Sequence, residues 1–194
     1  MKLCDDLPNS VTVNGRQVKV DLDFRNVLRM MEIMSRDDLM PEARYTLAAR
    51  AVCKHPKHPH EVVESVRKLL FKESDGEYHE KVTDFDQDAG MIRAAFRQAY
   101  GIDLYRDRLH WVEFSELLNA IPEGSRYSEV VGIRARPLPA PTKWNQHERD
   151  WLIKAKHDVA LRMTEEEQAA KYHADVGKIF AGLMNMIQRG ETNG

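Results

Sequence analysis

Prolines and glycines divide this chain into short amphipathic segments, and that division constrains its fold more than any other feature. Apolar residues recur at helical spacing along most of the sequence, but each run is short. Pro41, Pro59, Gly101 and Pro122 stand at the boundaries of such runs. Proline cannot continue a helix, and glycine is the usual residue just past a helix end. The sequence therefore predicts a mainly α-helical fold made of several short helices.

One segment near the N-terminus departs from the helical period. Val11-Thr12-Val13 and Gln17-Val18-Lys19-Val20 flank Asn14-Gly15, which supplies the positive φ angles of a type I′ turn. This is the only strong strand signal, so we predict one N-terminal β-hairpin. Because a lone hairpin is marginal in water, we expect it to pack on helices or to pair with another chain.

Apolar periodicity and end signals predict eight helices. They are carried by Phe24 to Met34, Pro41 to about Lys54, Val62 to Leu70, Met91 to Ala99, Trp111 to Ile121, Tyr127 to about Arg136, Asn145 to about Arg162, and Thr164 to Gly190. The sixth of these also fits a strand. Carboxylates suit helix N-termini, so we expect Asp21 or Asp23 to cap the first helix, Asp84 or Asp86 the fourth, and Asp107 the fifth.

The proline-rich segment Arg136-Pro137-Leu138-Pro139-Ala140-Pro141 marks a predicted domain boundary, because such a run is stiff and extended. We predict a helical domain with the hairpin over residues 1–136, a linker over 137–144, and a C-terminal helical extension over 145–194. The 194 residues suffice for this arrangement without disulfide staples.

Composition argues against several classes of partner. The net charge is −2, so no overall field favours nucleic acid or an anionic membrane. No apolar run approaches the ~18–20 residues that a membrane span needs, and MKLCDDLPNS lacks the apolar core of a secretory signal. Cys4 and Cys53 form no C-x-x-C pair, which favours a reduced, cytosolic protein. The basic residues from Arg134 to Lys156 alternate with acids, and we interpret them as a solvated face.

Two clusters could suggest a metal site. His55, His58 and His60 have a spacing that matches no pair of ligands on one helix face, and prolines put them in a loop. Asp84, Asp86 and Asp88 resemble the start of a calcium loop, but Ala89 and Ala95 stand where glycine and glutamate are needed. We interpret the first cluster as a polar loop and the second as a helix cap. We therefore expect no metal, no cofactor, no catalytic residue and no enzyme activity.

The last predicted helix carries the best functional surface. Its apolar residues fall at i, i+3, i+4, i+7, i+8 and i+11, which makes one continuous stripe. The stripe, our predicted partner-binding site, consists of Val176, Ile179, Phe180, Leu183, Met184 and Ile187. Burying each large side chain is worth ~1.5–3 kcal/mol, so the stripe must be covered. Its own domain, a partner helix or another copy of the chain could cover it.

A set of residues between positions 21 and 134 resembles a family of known proteins. The set comprises Asp21-Leu22 with Phe24, Asn26-Val27-Leu28, Asp84 to Ala89, Ala95-Phe96, Gln98 to Leu104, Leu109-His110-Trp111, Phe114, Leu117-Leu118-Asn119, Ile121-Pro122-Glu123 and Ile133-Arg134. In order and spacing it resembles a tail-gene family of long-tailed bacteriophages, encoded between the tail-tube and tape-measure genes. That gene position is typical of tail assembly chaperones.

The resemblance implies a non-enzymatic phage or prophage tail assembly chaperone that keeps the tape-measure protein soluble while the tail tube polymerises around it. The implied partners are the tape-measure protein, then a second copy of the chain and the tail-tube protein, with no nucleic acid and no membrane. The implied location is the cytoplasm of the bacterial host, outside the mature virion. The alternative is a structural virion component, such as a tail-completion or connector protein.

Overall fold

The computed structural model describes residues 4–71 and 81–162. In these ranges the chain forms a two-stranded antiparallel hairpin and seven α-helices. The elements are β1 Ser10–Val13, β2 Arg16–Lys19, α1 Phe24–Met34, α2 Pro41–Val52, α3 Pro59–Leu70, α4 Ala89–Tyr100, α5 Trp111–Asn119, α6 Arg126–Ala135 and α7 Gln146–Asp158. The predicted mainly α fold with one N-terminal hairpin is confirmed. None of the seven helices is long and apolar enough to cross a membrane.

The contacts of the chain group it into two compact units. Unit 1 comprises the described residues of Met1–Asp75 and Arg93–Pro122, and unit 2 those of Gly76–Ile92 and Glu123–Gly194. Each unit is therefore assembled from two separate stretches of sequence. The division predicted at residues 137–144 remains a prediction.

In unit 1 the hairpin forms where the sequence predicts it. Asn14 and Gly15 have φ angles of 50° and 73°, as a type I′ turn requires. Val11 and Val13 are buried, and β1 packs on α3. The Ser65 hydroxyl on α3 also donates a hydrogen bond to the Thr12 carbonyl, at 3.3 Å. Of the two arrangements expected for the hairpin, packing on helices is the one observed.

Helices α1, α2 and α3 pack in sequence order in unit 1. The Asp23 carboxylate caps α1 by accepting from the backbone N–H of Arg25 at 3.1 Å, and Pro41 opens α2. Pro59 likewise opens α3, because the first helical position needs no backbone donor. Leu69 is exposed on α3.

An aromatic cluster forms the centre of unit 1. The Phe114 ring stacks on Phe24 with centroids 4.6 Å apart and on Phe96 at 5.3 Å. Trp111 lies 5.8 Å from Phe114 and is tilted against it. Aromatic pairs in such offset arrangements contribute about 0.5–1.5 kcal/mol beyond the area that they bury. The cluster therefore joins α1 to α4 and α5, which come much later in the sequence.

The cap of α5 is not the predicted one. Asp107 accepts from the backbone N–H of Asp103 at 2.7 Å, within the preceding turn. His110 caps α5 instead, because its Nδ1 accepts from the backbone N–H of Val112 at 3.1 Å. The prediction of Asp107 was wrong because another backbone donor already occupies its carboxylate.

Unit 2 contains α6 and α7, which pack against each other. The segment that fitted both helix and strand is the helix α6, capped by the Ser125 hydroxyl, which accepts from the N–H of Ser128 at 3.1 Å. Tyr127 and Val130 are buried on α6, and Leu152 is fully buried on α7. Burial raises the pKa of the Tyr127 phenol above its usual value.

We expect the aromatic cluster to dominate the stability of unit 1. Phe114→Ala should lower its free energy of unfolding by about 3–5 kcal/mol, the usual effect of removing a buried phenylalanine. The measurement is urea unfolding followed by Trp111 fluorescence, in a background where the exposed Trp144 and Trp151 are both phenylalanine.

The control is Glu116→Ala, because Glu116 is exposed on the same helix. Its effect should stay within about 0.5 kcal/mol. Equal unfolding midpoints for the two variants would contradict a central role for the cluster.

Candidate functional site

The predicted partner-binding residues lie outside the described part of the chain. They are Val176, Ile179, Phe180, Leu183, Met184 and Ile187, all beyond residue 162. They remain a prediction. Among the described residues, the features that could serve function are a polar bridge and a groove in unit 1, and exposed tryptophans in unit 2.

The polar bridge joins the start of α1 to the start of α5. The Phe24 N–H donates to the Leu109 carbonyl at 3.0 Å, and the Trp111 N–H donates to the Leu22 carbonyl at 2.8 Å. Asp23 and His110 thereby face each other as one antiparallel bridge. Each of these two central residues also caps a helix, so the bridge fixes both helix starts at once.

Charged side chains surround the bridge. The Asp23 carboxylate, which is only 6% exposed, forms ion pairs with Arg25 and Arg108, both at 3.2 Å. Arg108 also reaches the more exposed Asp21 at 2.9 Å. Burial opposes the charged form of Asp21, but hydrogen bonds from Arg108 and from the Asp23 N–H outweigh it, so the pKa of Asp21 is lowered. These carboxylates are already paired and do not form a free acid–base site.

Both ring nitrogens of His110 are occupied. Nδ1 accepts the cap hydrogen bond from Val112, and Nε2 lies 2.9 Å from the Pro8 carbonyl. A carbonyl oxygen can only accept, so Nε2 carries the proton and the ring is neutral. His110 therefore links the N-terminal segment to α5, and its ring is not free to act as a general base.

A groove runs beside the hairpin in unit 1. Its larger part has a volume of about 730 Å³ and lies between Val18–Asp23, Val52–His55 and Arg108–His110. A second part, of about 540 Å³, lies between Val13–Val18 and the segment from His55 to His58. Val18 and His55 line both parts, so the two are adjacent. Ligand pockets commonly span about 300–1,000 Å³, and the size of each part fits that range.

A buried ion pair holds unit 2 together. Arg134 and Asp88, with side chains 7% and 0% exposed, form two hydrogen bonds of 2.6 and 3.0 Å. Arg134 also donates to the carbonyls of Val82 at 3.0 Å and Val159 at 2.6 Å. The prediction that Arg134 belongs to a solvated basic face was wrong. Helical spacing identifies apolar faces but does not reveal a buried cation whose partner lies 46 positions away.

The aspartate cluster is used for capping and pairing. The Asp84 carboxylate accepts from the backbone N–H groups of Asp86 at 2.9 Å and Gln87 at 2.8 Å, and pairs with Lys81. Burial opposes its charged form, but these hydrogen bonds outweigh burial and lower the pKa of Asp84. Asp84 thus caps the turn that precedes α4 and not α4 itself, which begins at Ala89, so the predicted helix cap is displaced by one turn. Asp88 was a candidate calcium ligand, and its carboxylate is engaged by Arg134.

The histidine loop shows a different arrangement. His60 lies on α3, where its ring packs 4.3 Å from the Tyr45 ring, while His55 lines the groove. Within 4–71 and 81–162 no group of three His, Cys, Asp or Glu residues could hold a metal ion. The predicted polar loop therefore includes His55 but not His60, which lies on α3.

Exposed tryptophans are a candidate binding feature that the sequence analysis did not predict. Trp144 is 94% exposed just before α7, and Trp151 and Ile153 are half-exposed on that helix, on either side of the fully buried Leu152. Tryptophan is enriched among the residues that contribute most to binding at protein interfaces, so Trp144 and Trp151 are candidate contact points for a partner. The signal was available in the sequence, because Trp144 follows a proline-rich segment in which no helical face could bury it.

The family of the chain follows from comparison with known proteins. The model of the family described as Bacteriophage Gp15 protein matches residues 3–161. The chain belongs to the Bacteriophage Gp15 protein family. The resemblance found in the sequence is thereby confirmed as one to a bacteriophage protein family. Neither the curated proteins nor the solved structures that were compared with the chain gave a match.

The residues that carry the Gp15 resemblance have structural roles in both units. Phe24, Phe96 and Phe114 form the aromatic stack, and Asp88 and Arg134 form the buried ion pair. The resemblance is therefore largely a signature of the fold. The Gp15 match ends before the apolar stripe at 176–187.

We expect unit 2 to depend on its buried ion pair. Arg134→Met leaves the Asp88 carboxylate buried without its counter-ion, which typically lowers the free energy of unfolding by about 3–5 kcal/mol. Hydrogen exchange measured by mass spectrometry on peptides from α6 and α7 would report the loss as faster exchange.

Arg136→Met is the matched control, because Arg136 pairs with Glu148 at the surface and both side chains are about half-exposed. Such a pair contributes about 0–1 kcal/mol, so exchange should change little. Similar exchange in the two variants would refute the importance of the buried pair.

The lowered pKa of Asp21 predicts an acid-sensitive contribution to the stability of unit 1. Because the folded pKa lies below the ordinary 3.8, the charged form stabilises the folded chain above that pH, and the contribution is lost as pH falls through the folded pKa. Asp21→Asn should therefore destabilise the protein at pH 6, and the gap to wild type should close towards pH 2. Urea midpoints measured across that range would test this. A gap independent of pH would contradict the prediction.

Proposed function

We propose that this member of the Gp15 family is a tail assembly chaperone that binds the tape-measure protein while the tail tube assembles. The observation that carries the proposal is the family match over residues 3–161. The resemblance also implies a gene position between the tail-tube and tape-measure genes. From this position we infer that the client is the tape-measure protein.

Exposed apolar side chains support a binding role. In unit 2 these are Trp144, Trp151 and Ile153; in unit 1 they include Met40, which is 72% exposed, and Met31. Methionine side chains adapt to varied partners, and exposed apolar residues serve as contact points for amphipathic helices. A chaperone for a long helical client needs such contacts at several places, because many weak sites give avidity without tight individual binding.

We propose a non-enzymatic role. Among the described residues, the side chains that most resembled a catalytic or metal site have structural contacts instead. His110 links two backbone groups, Asp84 caps a turn, and Asp88 is paired with Arg134. Each is held by hydrogen bonds that serve the fold. Further proposed partners are a second copy of the chain and the tail-tube protein, without nucleic acid or membrane, in the cytoplasm of the bacterial host.

Co-expression with the tape-measure protein of the same gene cluster tests the proposal. We expect the tape measure to become soluble and to co-purify with the wild-type chain. Phe180→Asp with Leu183→Asp should abolish co-purification, because two charges would interrupt the apolar stripe at 176–187.

The matched control is Asn185→Asp with Gln188→Asp, which adds the same charge off the stripe. Equal rescue by both double variants would move the binding surface elsewhere on the chain. If the wild-type chain leaves the tape measure insoluble and is found in purified particles, the chaperone proposal fails and a structural virion component takes its place.

A further inference from the structure

The outer edge of β2 carries backbone groups that point away from the hairpin. The Val20 N–H donates to the Asn9 carbonyl at 2.9 Å, so residues 9 and 20 form a hydrogen-bonded pair. Such pairs alternate with non-bonded ones in an antiparallel ladder. The pairing of Ser10 with Lys19 and of Thr12 with Gln17 is therefore non-bonded. The N–H and C=O groups of Gln17 and Lys19 consequently face outward.

Among residues 4–71 and 81–162 these outward groups have no partner, whereas equivalent backbone groups nearby do. On β1, the Thr12 carbonyl accepts from Ser65; just beyond β2, the Asp21 N–H donates to the Val52 carbonyl at 2.8 Å. The backbone groups of Gln17 and Lys19 have no hydrogen-bond partner among residues 4–71 and 81–162. Two consecutive outward positions of β2 are thus open for pairing.

The groove of unit 1 lies along this open edge. The Val52 carbonyl accepts from the Asp21 N–H, and residues of the following segment 53–58, called the far wall here, line the groove together with residues of β2. Arg16, Gln17, Val18 and Lys19 line the near wall. The groove therefore borders the β2 residues that carry the outward N–H and C=O groups.

The charge of the groove indicates what kind of segment would enter. Four exposed cations of the groove form no ion pair with another described residue: Arg16, Lys19, Lys54 and Lys57. The fifth, Arg108, is paired with both carboxylates of the groove, Asp21 and Asp23. A segment lying along β2 would meet unpaired positive charge on both walls, and this favours acidic side chains.

We propose that the outer edge of β2 binds an extended acidic segment of a partner protein by strand addition. Main-chain hydrogen bonds to Gln17 and Lys19 would supply affinity, and the cations of the groove would select acidic side chains. The binding site is distinct from the apolar stripe at 176–187, and the inference does not depend on the chaperone function.

A second copy of the chain is a poorer occupant than an acidic segment. Pairing two β2 edges would bring Arg16 and Lys19 of one copy close to the same cations of the other, and like charges across a strand pair are destabilising. Cationic residues on a short edge strand discourage such self-pairing in general. They repel a copy of the chain and attract an acidic segment.

The experiment titrates the full-length ¹⁵N-labelled chain with a short capped peptide of alternating glutamate and valine. We expect saturable shifts of the Gln17 and Lys19 amide signals. Two control peptides carry N-methyl groups on alternate amides, one on the odd positions and one on the even positions. Each keeps the charge of the peptide but loses the hydrogen bonds along one side of the strand. At least one of the two should bind about tenfold more weakly than the unmethylated peptide. This arm uses the wild-type protein, so folding does not confound it.

Charge-reversal variants test the selectivity for acids. Lys54→Glu with Lys57→Glu, both exposed on the far wall, should weaken binding about tenfold or more. The matched control is Lys143→Glu with Lys154→Glu, which makes the same charge change at exposed positions in unit 2 and should leave the affinity unchanged.

Several results would overturn the proposal. They are no binding, equal binding of the methylated peptides, or equal effects of the two charge-reversal variants. Hydrogen-exchange protection of Gln17 and Lys19 in the peptide-free protein would also overturn it. Protection that is independent of concentration would assign the edge to a segment of the same chain, and protection that grows with concentration would assign it to a second copy.

Discussion

Unit 1 depends on the antiparallel bridge between the residues before α1 and those before α5. Two backbone hydrogen bonds at this bridge direct Phe24 and Trp111 into the aromatic cluster. The central residues, Asp23 and His110, cap the two helices. One short contact thus determines where two helices start and which faces they bury. The buried ion pair of Asp88 has a comparable role in unit 2, where it ties α6 to the turn before α4 and, through Val159, to the end of α7.

Features set by local stereochemistry were predictable from the sequence. Asn14-Gly15 could form only a narrow set of turns, Pro41 suited a first helical turn, and Gly101 adopts the positive φ of 70° expected just past α4. The cap of α5 was not predictable in the same way, because Asp107 and His110 are both plausible acceptors. The choice between them depends on which backbone donors the preceding turn leaves free.

The candidate binding features, namely the groove beside β2 and the exposed tryptophans, were less predictable than the fold. Periodicity identifies the buried face of an element, but the open edge of β2 follows from hydrogen-bond alternation and from where the chain at Val52 lies. The groove brings together segments near positions 18, 55 and 108, and no spacing in the sequence reports that proximity. Exposed Trp144 was visible in the sequence only as a large apolar residue in a segment without a helical face.

The position of α5 in the sequence has a consequence for how the protein is made. Phe24 is synthesised 90 residues before Phe114, the ring on which it stacks. At about 5–20 residues per second, ribosomes need roughly 5–18 s to cover that distance. During this interval α1 can already pack on α2, but the Phe24 ring lacks the Phe114 ring on which it stacks. Unit 1 is therefore completed only after α5 has been synthesised, and until then one of its central aromatic contacts is missing.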